Sequence, residues 1–143
     1  MADAPWPVNE GRRVLIVTGA GRGIGRAIAL QSAAAGYAVA VNYHASRHAA
    51  EEVVQAIGFR GGRAVAICAD MGSEGDIVRL FRETEERLGP VMALVNNAGI
   101  TGGFARVAEI DAERVRRMLD VNLLGTMLAC REAVRRCDRQ PCV

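Results

Sequence analysis

The chain has 143 residues, 50% of them hydrophobic, which suits a single domain with a substantial core. Its formal net charge at pH 7 is +2, which gives no support for nucleic-acid binding, where a clustered basic face is expected. All 18 basic residues are arginines, because the sequence contains no lysine. Chemistry that needs a lysine side chain is therefore excluded for this chain.

Cysteine usage and hydropathy predict a soluble, cytoplasmic protein with reduced thiols. The cysteines form no C-x-x-C pair and there are only two histidines, so no metal site is predicted. Cys68 lies in an apolar run and is predicted to be a small core residue. The amino terminus has no apolar segment typical of a secretory signal. No run reaches the ~20 apolar residues of a membrane span, so no membrane partner is expected.

Residues 1–11 contain two prolines and little pattern, and they are predicted to form a loose lead-in. The chain then alternates between short hydrophobic runs, typical of parallel strands covered on both faces, and segments with helical periodicity. The predicted strands are 13–18, 37–43, 63–69 and 91–96. Predicted helices lie between them, and the third carries an apolar stripe at helical spacing, formed by Ile77, Leu80, Phe81, Thr84 and Leu88.

A longer helix is predicted over 111–136, with Asp111 as its N-cap. The remaining tail, 137–143, is polar and has no strand pattern. The alternation of strands and helices predicts an α/β fold, a doubly wound parallel sheet of Rossmann type with about four strands and therefore incomplete. We expect this domain to span residues 12–136.

The segment between the first strand and the first helix is TGAGRGIG, with glycines at every second position. Glycine accepts positive φ in a tight turn and lets the backbone approach a pyrophosphate. The helix that follows directs free N–H groups and its positive dipole end at the phosphates. Because the loop follows a strand and opens a helix, its context favours dinucleotide binding over a merely flexible turn. It lacks the Gly-Lys-Ser/Thr ending of a P-loop, which argues against a nucleotidase.

The spacing of these glycines is T-G-x-x-x-G-x-G rather than G-x-G-x-x-G. NNAG follows the fourth predicted strand at 96–99, Asp70 ends the third, and DVNLLG at 120–125 contains Asn122. With these motifs in this order, the chain resembles the short-chain dehydrogenase/reductase family, in its 3-oxoacyl-carrier-protein-reductase-like branch. The resemblance covers residues 12–136 and implies an oxidoreductase that transfers hydride between a nicotinamide cofactor and a carbonyl or alcohol.

The resemblance implies that the cofactor runs along the glycine loop and the strand ends. The loop residues implied in binding its phosphates and adenosine ribose are Gly19, Gly21, Arg22, Gly23, Ile24 and Gly25. Asp70 and the amide of Met71 are implied to bind the adenine edge, although Asp70 is alternatively a strand-end cap. The resemblance implies that the cofactor's riboses lie along Asn97, Ala98 and Gly99. A tight turn that braces the sheet is the other interpretation of NNAG, and the two are compatible.

The end of the second predicted strand indicates which cofactor is preferred. An NAD site places a carboxylate there for the ribose 2′-hydroxyl, whereas residues 42–47 include no Asp or Glu. A 2′-phosphate is compatible with the polar residues present, which are Asn42, Tyr43 and Ser46. Arg22, and Arg47 as a further candidate, can pair with that phosphate. The sequence therefore predicts NADP(H) rather than NAD(H).

The residues that carry the family's chemistry are missing from this sequence. That chemistry uses a serine to polarise the carbonyl and a Tyr-x-x-x-Lys pair, whose lysine lowers the tyrosine pKa from roughly 10. The two tyrosines, Tyr37 and Tyr43, have no lysine after them. The serines, Ser32, Ser46 and Ser73, all precede NNAG. The chain alone is therefore expected to be catalytically incomplete.

Asn122 lies on the apolar stripe of the 111–136 helix and is expected to be buried with a hydrogen-bond partner. One interpretation is that it braces backbone across the core. The resemblance implies instead that it holds a water in a proton relay to the family's lysine. The resemblance also implies that the 111–136 helix forms a subunit interface, so a homo-oligomer is expected.

The likeness ends at Cys137, where a fifth strand is expected. We therefore expect the amino-terminal portion of a longer dehydrogenase, cut or frame-shifted near residue 136, with a natural short variant as the alternative. The fourth strand would then be an exposed apolar edge, prone to pairing or aggregation. The predicted function is NADP(H) binding for an oxidoreductase of small carbonyl or alcohol molecules. A non-catalytic dinucleotide-binding or subunit-interaction module is the alternative.

Overall fold

The computed structural model describes residues 13–137, so the predicted lead-in and nearly all of the predicted tail lie outside the described residues. The first half of that range contains β1 (Val14–Val17), α1 (Gly23–Ala34), β2 (Ala38–Tyr43), α2 (Arg47–Phe59) and β3 (Ala64–Cys68). The second half contains α3 (Glu74–Leu88), β4 (Val91–Val95), a 3-10 turn (Val107–Glu109), α4 (Ala112–Leu119), a π-helical turn (Asp120–Leu124) and α5 (Gly125–Cys137). Each predicted strand is present, shorter than predicted by one or two residues.

The four strands form one parallel sheet in the order β3-β2-β1-β4. β1 pairs with β2 from Val14↔Ala38 to Val17↔Val41, and with β4 through a register irregularity after Val14. β2 and β3 therefore lie in sequence on one side of β1, and the chain then crosses over so that β4 lies on the other side. This order confirms the prediction of a four-stranded, doubly wound Rossmann-type sheet.

Both faces of the sheet are covered by helices. Alternate residues of β1 point to opposite faces, as the two-residue period of a strand requires. Val14 and Ile16 belong to the cluster that contains Phe81 of α3, whereas Leu15 and Val17 belong to the cluster that contains Val53 of α2. All of these residues are nearly or completely buried. The continuous hydrophobic runs in the sequence are explained by this burial on both faces.

Charged side chains join α5 to α3. The carboxylate of Glu132 in α5 is 5% exposed and lies 2.6 Å from the Arg136 guanidinium. Arg136 also lies 3.1 Å from Glu85 of α3 and stacks over the Phe81 ring at 5.0 Å. Arg131 similarly spans from Glu132 to Glu74 of α3, at 3.1 Å and 2.7 Å. The last described helix is thus held to α3 by buried and half-buried ion pairs as well as by apolar packing.

The segment 111–136 is helical, but a π-helical turn at Asp120–Leu124 divides it into α4 and α5. Asp111 is the N-cap that was predicted, since its carboxylate accepts a hydrogen bond of 2.8 Å from the Arg114 amide. Gly125 follows the π turn and lies against the Met71 backbone, where an added Cβ would collide. A single uninterrupted helix was the simpler expectation, and periodicity alone does not reveal the extra residue of a π turn.

Apolar surface remains exposed along β4 and along the outer face of α4 and α5. β4 pairs with β1 alone among the described strands, and Met92 is 48% exposed on it. The large apolar side chains exposed on α4, the π turn and α5 are Val115, Leu119, Leu123, Leu124, Met127 and Val134. The predicted apolar edge strand is therefore present in the described part of the chain.

Two expectations about burial are wrong. Cys68 is exposed rather than buried, because β3 is the other edge of the sheet and this residue is its last. Asn122 is exposed as well, because the helix face that carries it has no covering layer within the described residues.

Within residues 13–137 no helix is long and apolar enough to cross a membrane.

The Glu132 ion pairs generate a prediction about stability. Burial acts to raise the pKa of Glu132, but hydrogen bonds from Arg136 and Arg131 outweigh it and lower the pKa. A lowered folded-state pKa stabilises the protein above the unfolded-state pKa, and this contribution is lost as pH falls through the folded value. We expect Glu132→Gln to reduce the free energy of unfolding by about 2 kcal/mol at pH 7. The difference should shrink below about pH 4, measured by urea unfolding.

Glu86→Gln is the matched control for this experiment. Glu86 lies on α3 with a 62% exposed side chain, 3.7 Å from Arg82. Its replacement should change the free energy of unfolding by less than about 0.5 kcal/mol at either pH. Equal effects of the two substitutions, or a Glu132→Gln effect that does not depend on pH, would contradict the structural role assigned to Glu132.

Candidate functional site

A cleft of about 670 Å³ opens at the carboxyl ends of the strands, beside the point where the sheet order crosses from β1 to β4. Such a crossing point is where open α/β sheets bind their ligands. Thirteen of the predicted cofactor-binding residues line this cleft. They are Gly19, Gly21, Arg22, Gly23, Ile24, Asn42, Tyr43, Ser46, Asp70, Met71, Asn97, Ala98 and Gly99.

The glycine loop forms one wall of the cleft and requires glycine for two different reasons. Gly19 has a φ of +62°, a conformation that other residues rarely adopt. Gly25 lies behind the wall, where an added Cβ would stand 2.6 Å from the Gly19 carbonyl oxygen and against the Asn97 side chain. The tight packing under Gly25 therefore brings the start of α1 close to the turn that precedes it.

The amino terminus of α1 has the features of an anion site. Its N-cap residue, Arg22, makes no side-chain cap, and the first turn contains no acidic residue. By contrast, the N-caps of α3 and α4 are Ser73 and Asp111, whose side chains accept backbone hydrogen bonds, and both helices carry acidic residues in the first turn. The first N–H groups of α1 are thus left for a ligand, and the helix dipole favours a negative one.

Thr18 joins the glycine loop to the NNAG segment. Its hydroxyl accepts hydrogen bonds of 3.0 Å from the amides of Asn97 and Ala98, and donates to the Val95 carbonyl at 3.4 Å. The Asn97 side chain donates in return to the carbonyls of Thr18 and Gly19, at 2.9 and 3.1 Å. Thr18 is 1% exposed, so its hydrogen-bonding capacity is used entirely inside the protein. NNAG therefore braces the sheet, as one of its two interpretations proposed.

Asn42 is a second internal brace at the end of β2. It is 1% exposed, and its side-chain oxygen accepts a 3.1 Å hydrogen bond from the Gly19 amide. Its side-chain nitrogen donates to the Ala69 carbonyl at 3.1 Å. Because both ends of the amide are engaged, Asn42 supports the cleft from behind by linking the glycine loop to the end of β3. Its proposed contact with a cofactor stays a prediction.

The two arginines proposed for a 2′-phosphate occupy different environments. Arg22 is exposed on the cleft wall and takes part in no ion pair within the described residues. Arg47 lies outside the lining and is paired with Glu51 of the same helix at 2.6 Å. The hydrogen bond to Glu51, together with its charge, raises the pKa of Arg47. Of the two, Arg22 is the one available to a ligand.

Asp70 stands at the end of β3 in a network of charged groups. One carboxylate oxygen, Oδ1, accepts 2.8 Å hydrogen bonds from the Gly72 amide and from Arg117 of α4. The other, Oδ2, lies 4.0 Å from His44. Burial acts to raise the pKa of Asp70, but the Arg117 and Gly72 hydrogen bonds and the Arg117 charge lower it below its ordinary value. The carboxyl is therefore held in its ionised form.

Asn122 lies outside the cleft lining, in the π-helical turn between α4 and α5. Its side chain accepts a 2.8 Å hydrogen bond from the Ile100 amide and donates one of the same length to the Ile100 carbonyl. This pair of bonds fixes the backbone just after NNAG, at an exposed position rather than across the core. The proton-relay role stays a prediction.

Sequence reasoning missed several residues of the cleft, notably His44 and Arg117. His44 directly follows two predicted residues and could have been found by extending that segment. Arg117 had no local signal, because it belongs to a helix whose contact with Asp70 spans 47 positions in sequence. The sequence identifies Thr18 as the first residue of the glycine motif. Its bracing role was not predicted, because it depends on NNAG being adjacent in space.

A parallel sheet with this strand order, together with a glycine loop and an uncapped helix at the crossing point, defines a Rossmann-type domain, a fold class that typically binds dinucleotides there. The family model described as short chain dehydrogenase matches residues 13–141. The chain therefore belongs to the short chain dehydrogenase family, as its motifs indicated.

Individual relatives agree with this assignment. The chain is 46% identical over 123 residues to the uncharacterized oxidoreductase YgfF of Escherichia coli (strain K12), covering 86% of this chain and 50% of that protein. It is 40% identical over 122 residues to a 3-oxoacyl-[acyl-carrier-protein] reductase of Synechocystis, covering 85% and 49%. A short chain dehydrogenase from Burkholderia cenocepacia J2315, solved in complex with NADP, superimposes with a TM-score of 0.82 at 36% identity, covering 88% and 51%. The chain spans about half the length of the curated relatives it matches.

The packing beneath the glycine loop predicts how two glycine substitutions will differ. Gly25→Ala would force a methyl group against the Gly19 carbonyl and the Asn97 side chain, so we expect a loss of about 1–3 kcal/mol in the free energy of unfolding. Gly58→Ala, in α2, is the control, because no atom of the described residues lies within 4 Å of its added Cβ. That variant should be unchanged or more stable by up to about 1 kcal/mol in the same urea titration. Equal stabilities of the two variants would contradict the close packing of this loop.

Proposed function

We propose that this chain is the NADP(H)-binding portion of a short-chain oxidoreductase that transfers hydride between the nicotinamide and a small carbonyl or alcohol substrate. The observation that carries the proposal is the uncapped, acid-free amino terminus of α1 on the wall of a cleft at the sheet's crossing point. A side-chain cap would occupy the backbone N–H groups, and an acidic first turn would repel the phosphates that this cofactor brings. The relative solved with NADP supports the same assignment.

The residues on the cleft wall fit the parts of such a cofactor. The amides of the glycine loop and of α1 would hold the pyrophosphate, because free backbone donors and the helix dipole favour negative charge there. The ionised carboxylate of Asp70 would accept from the exocyclic amine of adenine, beside the amide of Met71. The backbone of Asn97 to Gly99, braced by Thr18, would follow the riboses. The bound nicotinamide supplies the hydride chemistry, and these groups bind and orient it.

The preference for NADP(H) rests on charge at the end of β2. Residues 42–47 contribute no carboxylate to the cleft, so nothing there repels a 2′-phosphate. The exposed guanidinium of Arg22 offers a positive, bidentate partner for it. Arg47 contributes less to this proposal than the sequence suggested, because it is paired with Glu51. Tyr43 and Ser46 line the cleft on the same side and can complete the phosphate site.

Titration of both cofactors by calorimetry or by fluorescence tests the proposal. We expect the chain to bind NADPH more tightly than NADH. Arg22→Met should weaken NADPH binding by about tenfold while leaving NADH binding nearly unchanged, because only NADPH carries the extra phosphate. Arg26→Met, an exposed position on α1 outside the cleft lining, is the control and should alter neither affinity. Tighter binding of NADH, or equal loss of both cofactors in Arg22→Met, would contradict the assignment.

This chain alone is expected to bind cofactor without turnover. The sequence has no lysine to complete a Tyr-x-x-x-Lys pair. Of its two tyrosines, Tyr37 packs under Arg13 at 5.0 Å just before β2, whereas Tyr43 ends that strand. Oxidation of NADPH by the pure chain with a carbonyl substrate would contradict this expectation.

The exposed apolar face of α4 and α5 supports a second function, that of a subunit-interaction module. Leu119, Leu123 and Met127 are each more than half exposed, at 52%, 55% and 62%. Exposed patches of this kind mark interaction surfaces or aggregation-prone surfaces. We infer that the chain self-associates through the 111–136 segment. A monomeric mass by light scattering, identical for the native chain and for Leu123→Glu, would contradict this inference.

A further inference from the structure

Arg117 links the outer helix α4 to the adenine side of the cleft. Its guanidinium lies on the cleft wall, with Nη2 2.8 Å from Oδ1 of Asp70. Its side chain is 39% exposed and that of Asp70 is 25% exposed, so the ion pair is partly shielded from water. Such a pair is stronger than one on the open surface.

The two oxygens of the Asp70 carboxylate differ in their hydrogen bonding, since one accepts two hydrogen bonds and the other is available. Oδ1 accepts from Arg117 and from the Gly72 amide, both at 2.8 Å. Oδ2 accepts no hydrogen bond from the described residues and lies 4.0 Å from Nε2 of His44. The strand-end cap and the ligand site are therefore different oxygens of one carboxyl group.

Gly72 makes the approach of Arg117 possible. A Cβ at this position would collide with the Arg117 guanidinium and would stand 3.2 Å from a methyl group of Val121. The absence of a side chain thus lets α4 and the turn after β3 come together over Asp70. The carboxylate is oriented by a residue of another helix as well as by its own turn.

We propose that Arg117 is a positioning residue for dinucleotide binding, which fixes the Asp70 carboxylate and keeps Oδ2 ionised for the exocyclic amine of adenine. This inference rests on the proposed cofactor site. Its consequence is that the attachment of α4, which also carries the exposed apolar face, contributes to the affinity for the adenine half of the cofactor.

Four charged or titratable groups surround this carboxylate. Arg117 comes from α4 and His44 follows β2. Asp76 of α3 accepts a 2.8 Å hydrogen bond from the Asp70 amide, and its own charge is offset by Arg79 at 3.0 Å. The imidazole among these groups, that of His44, lies 4.0 Å from Oδ2 of Asp70. Any pH experiment on Asp70 must therefore separate the carboxyl from this imidazole.

The experiment measures the binding of adenosine 2′,5′-bisphosphate, which carries the adenine half alone, to the full chain by calorimetry. At pH 7.5 we expect Arg117→Met to weaken binding by about tenfold, because an oriented, charge-assisted acceptor is lost. Arg117→Lys, which keeps the charge, should recover part of this affinity. Arg116→Met is the matched control, since Arg116 is 70% exposed on the same helix and lies 3.9 Å from Glu113. It should bind like the native chain.

The pH profile distinguishes positioning from a merely structural role. Without Arg117 the Asp70 carboxyl loses a hydrogen bond and a positive neighbour that favour its ionised form, so it takes up a proton at a higher pH than in the native chain. The ratio of the Arg117→Met dissociation constant to the native one should therefore grow as pH falls from about 7 to about 5. The titration of the ligand's own phosphates cancels in this ratio. Repeating the series in a His44→Asn background removes the contribution of the imidazole.

The possible outcomes separate this inference from the function on which it rests. If the native chain binds neither NADPH nor adenosine 2′,5′-bisphosphate, the proposed function fails and the inference fails with it. If the native chain binds both and Arg117→Met binds equally well, or loses affinity by a ratio that does not change with pH, the inference alone is wrong. The same holds if Arg116→Met is weakened as much. Unfolding temperatures measured for all variants show whether each one is folded.

Discussion

The cleft depends above all on the hydroxyl of Thr18, a buried group that joins the end of β1 to the segment after β4. Two amides of NNAG donate to it, and the Asn97 side chain returns two hydrogen bonds to the backbone at the start of the glycine loop. A buried donor or acceptor without a partner costs free energy. The segments that follow β1 and β4 must therefore stay aligned to keep these hydrogen bonds. The neighbouring strand adds Asn42, which fastens Gly19 from the other side. The glycine loop is flexible by composition and is fixed by these contacts.

The electrostatics of the cleft depend on whether the first turn of each helix is capped by a side chain and carries acidic residues. α3 and α4 are capped by their own side chains, whereas α1 and α2 are not, and the amino termini of both α1 and α2 lie on the cleft. Positive potential from free amides and from Arg22 is therefore concentrated at one end of the cleft. A single ionised carboxylate, that of Asp70, stands at the end of β3. This separation of charge matches a molecule with phosphates in its middle and an amine-bearing base at one end.

The α4–α5 unit is held to the rest of the domain by polar contacts as well as by apolar packing of Val121 and Ala129 against the core. Arg117 pairs with Asp70, Asn122 holds Ile100, and the Glu132 network fastens α5 to α3. Arg117 and the Glu132 network lie on the inner side of the two helices, whereas Asn122 and several large apolar side chains are exposed. A helix that is secured from within and apolar on its exposed face can offer that face to another polypeptide without unfolding.

Local patterns in the sequence determined the architecture: strands buried on both faces, helices at their period, glycines at the turn and an α/β alternation that leads to a parallel sheet. They also located most of the cleft, because the carboxyl ends of parallel strands meet at one edge. Tertiary structure decided what individual polar and borderline side chains do. Cys68 and Asn122 are exposed because an edge strand and an outer helix have no covering layer among residues 13–137, and Arg117 reaches Asp70 across 47 positions of sequence. Periodicity describes a residue's own element, whereas partners and burial depend on which other elements pack beside it.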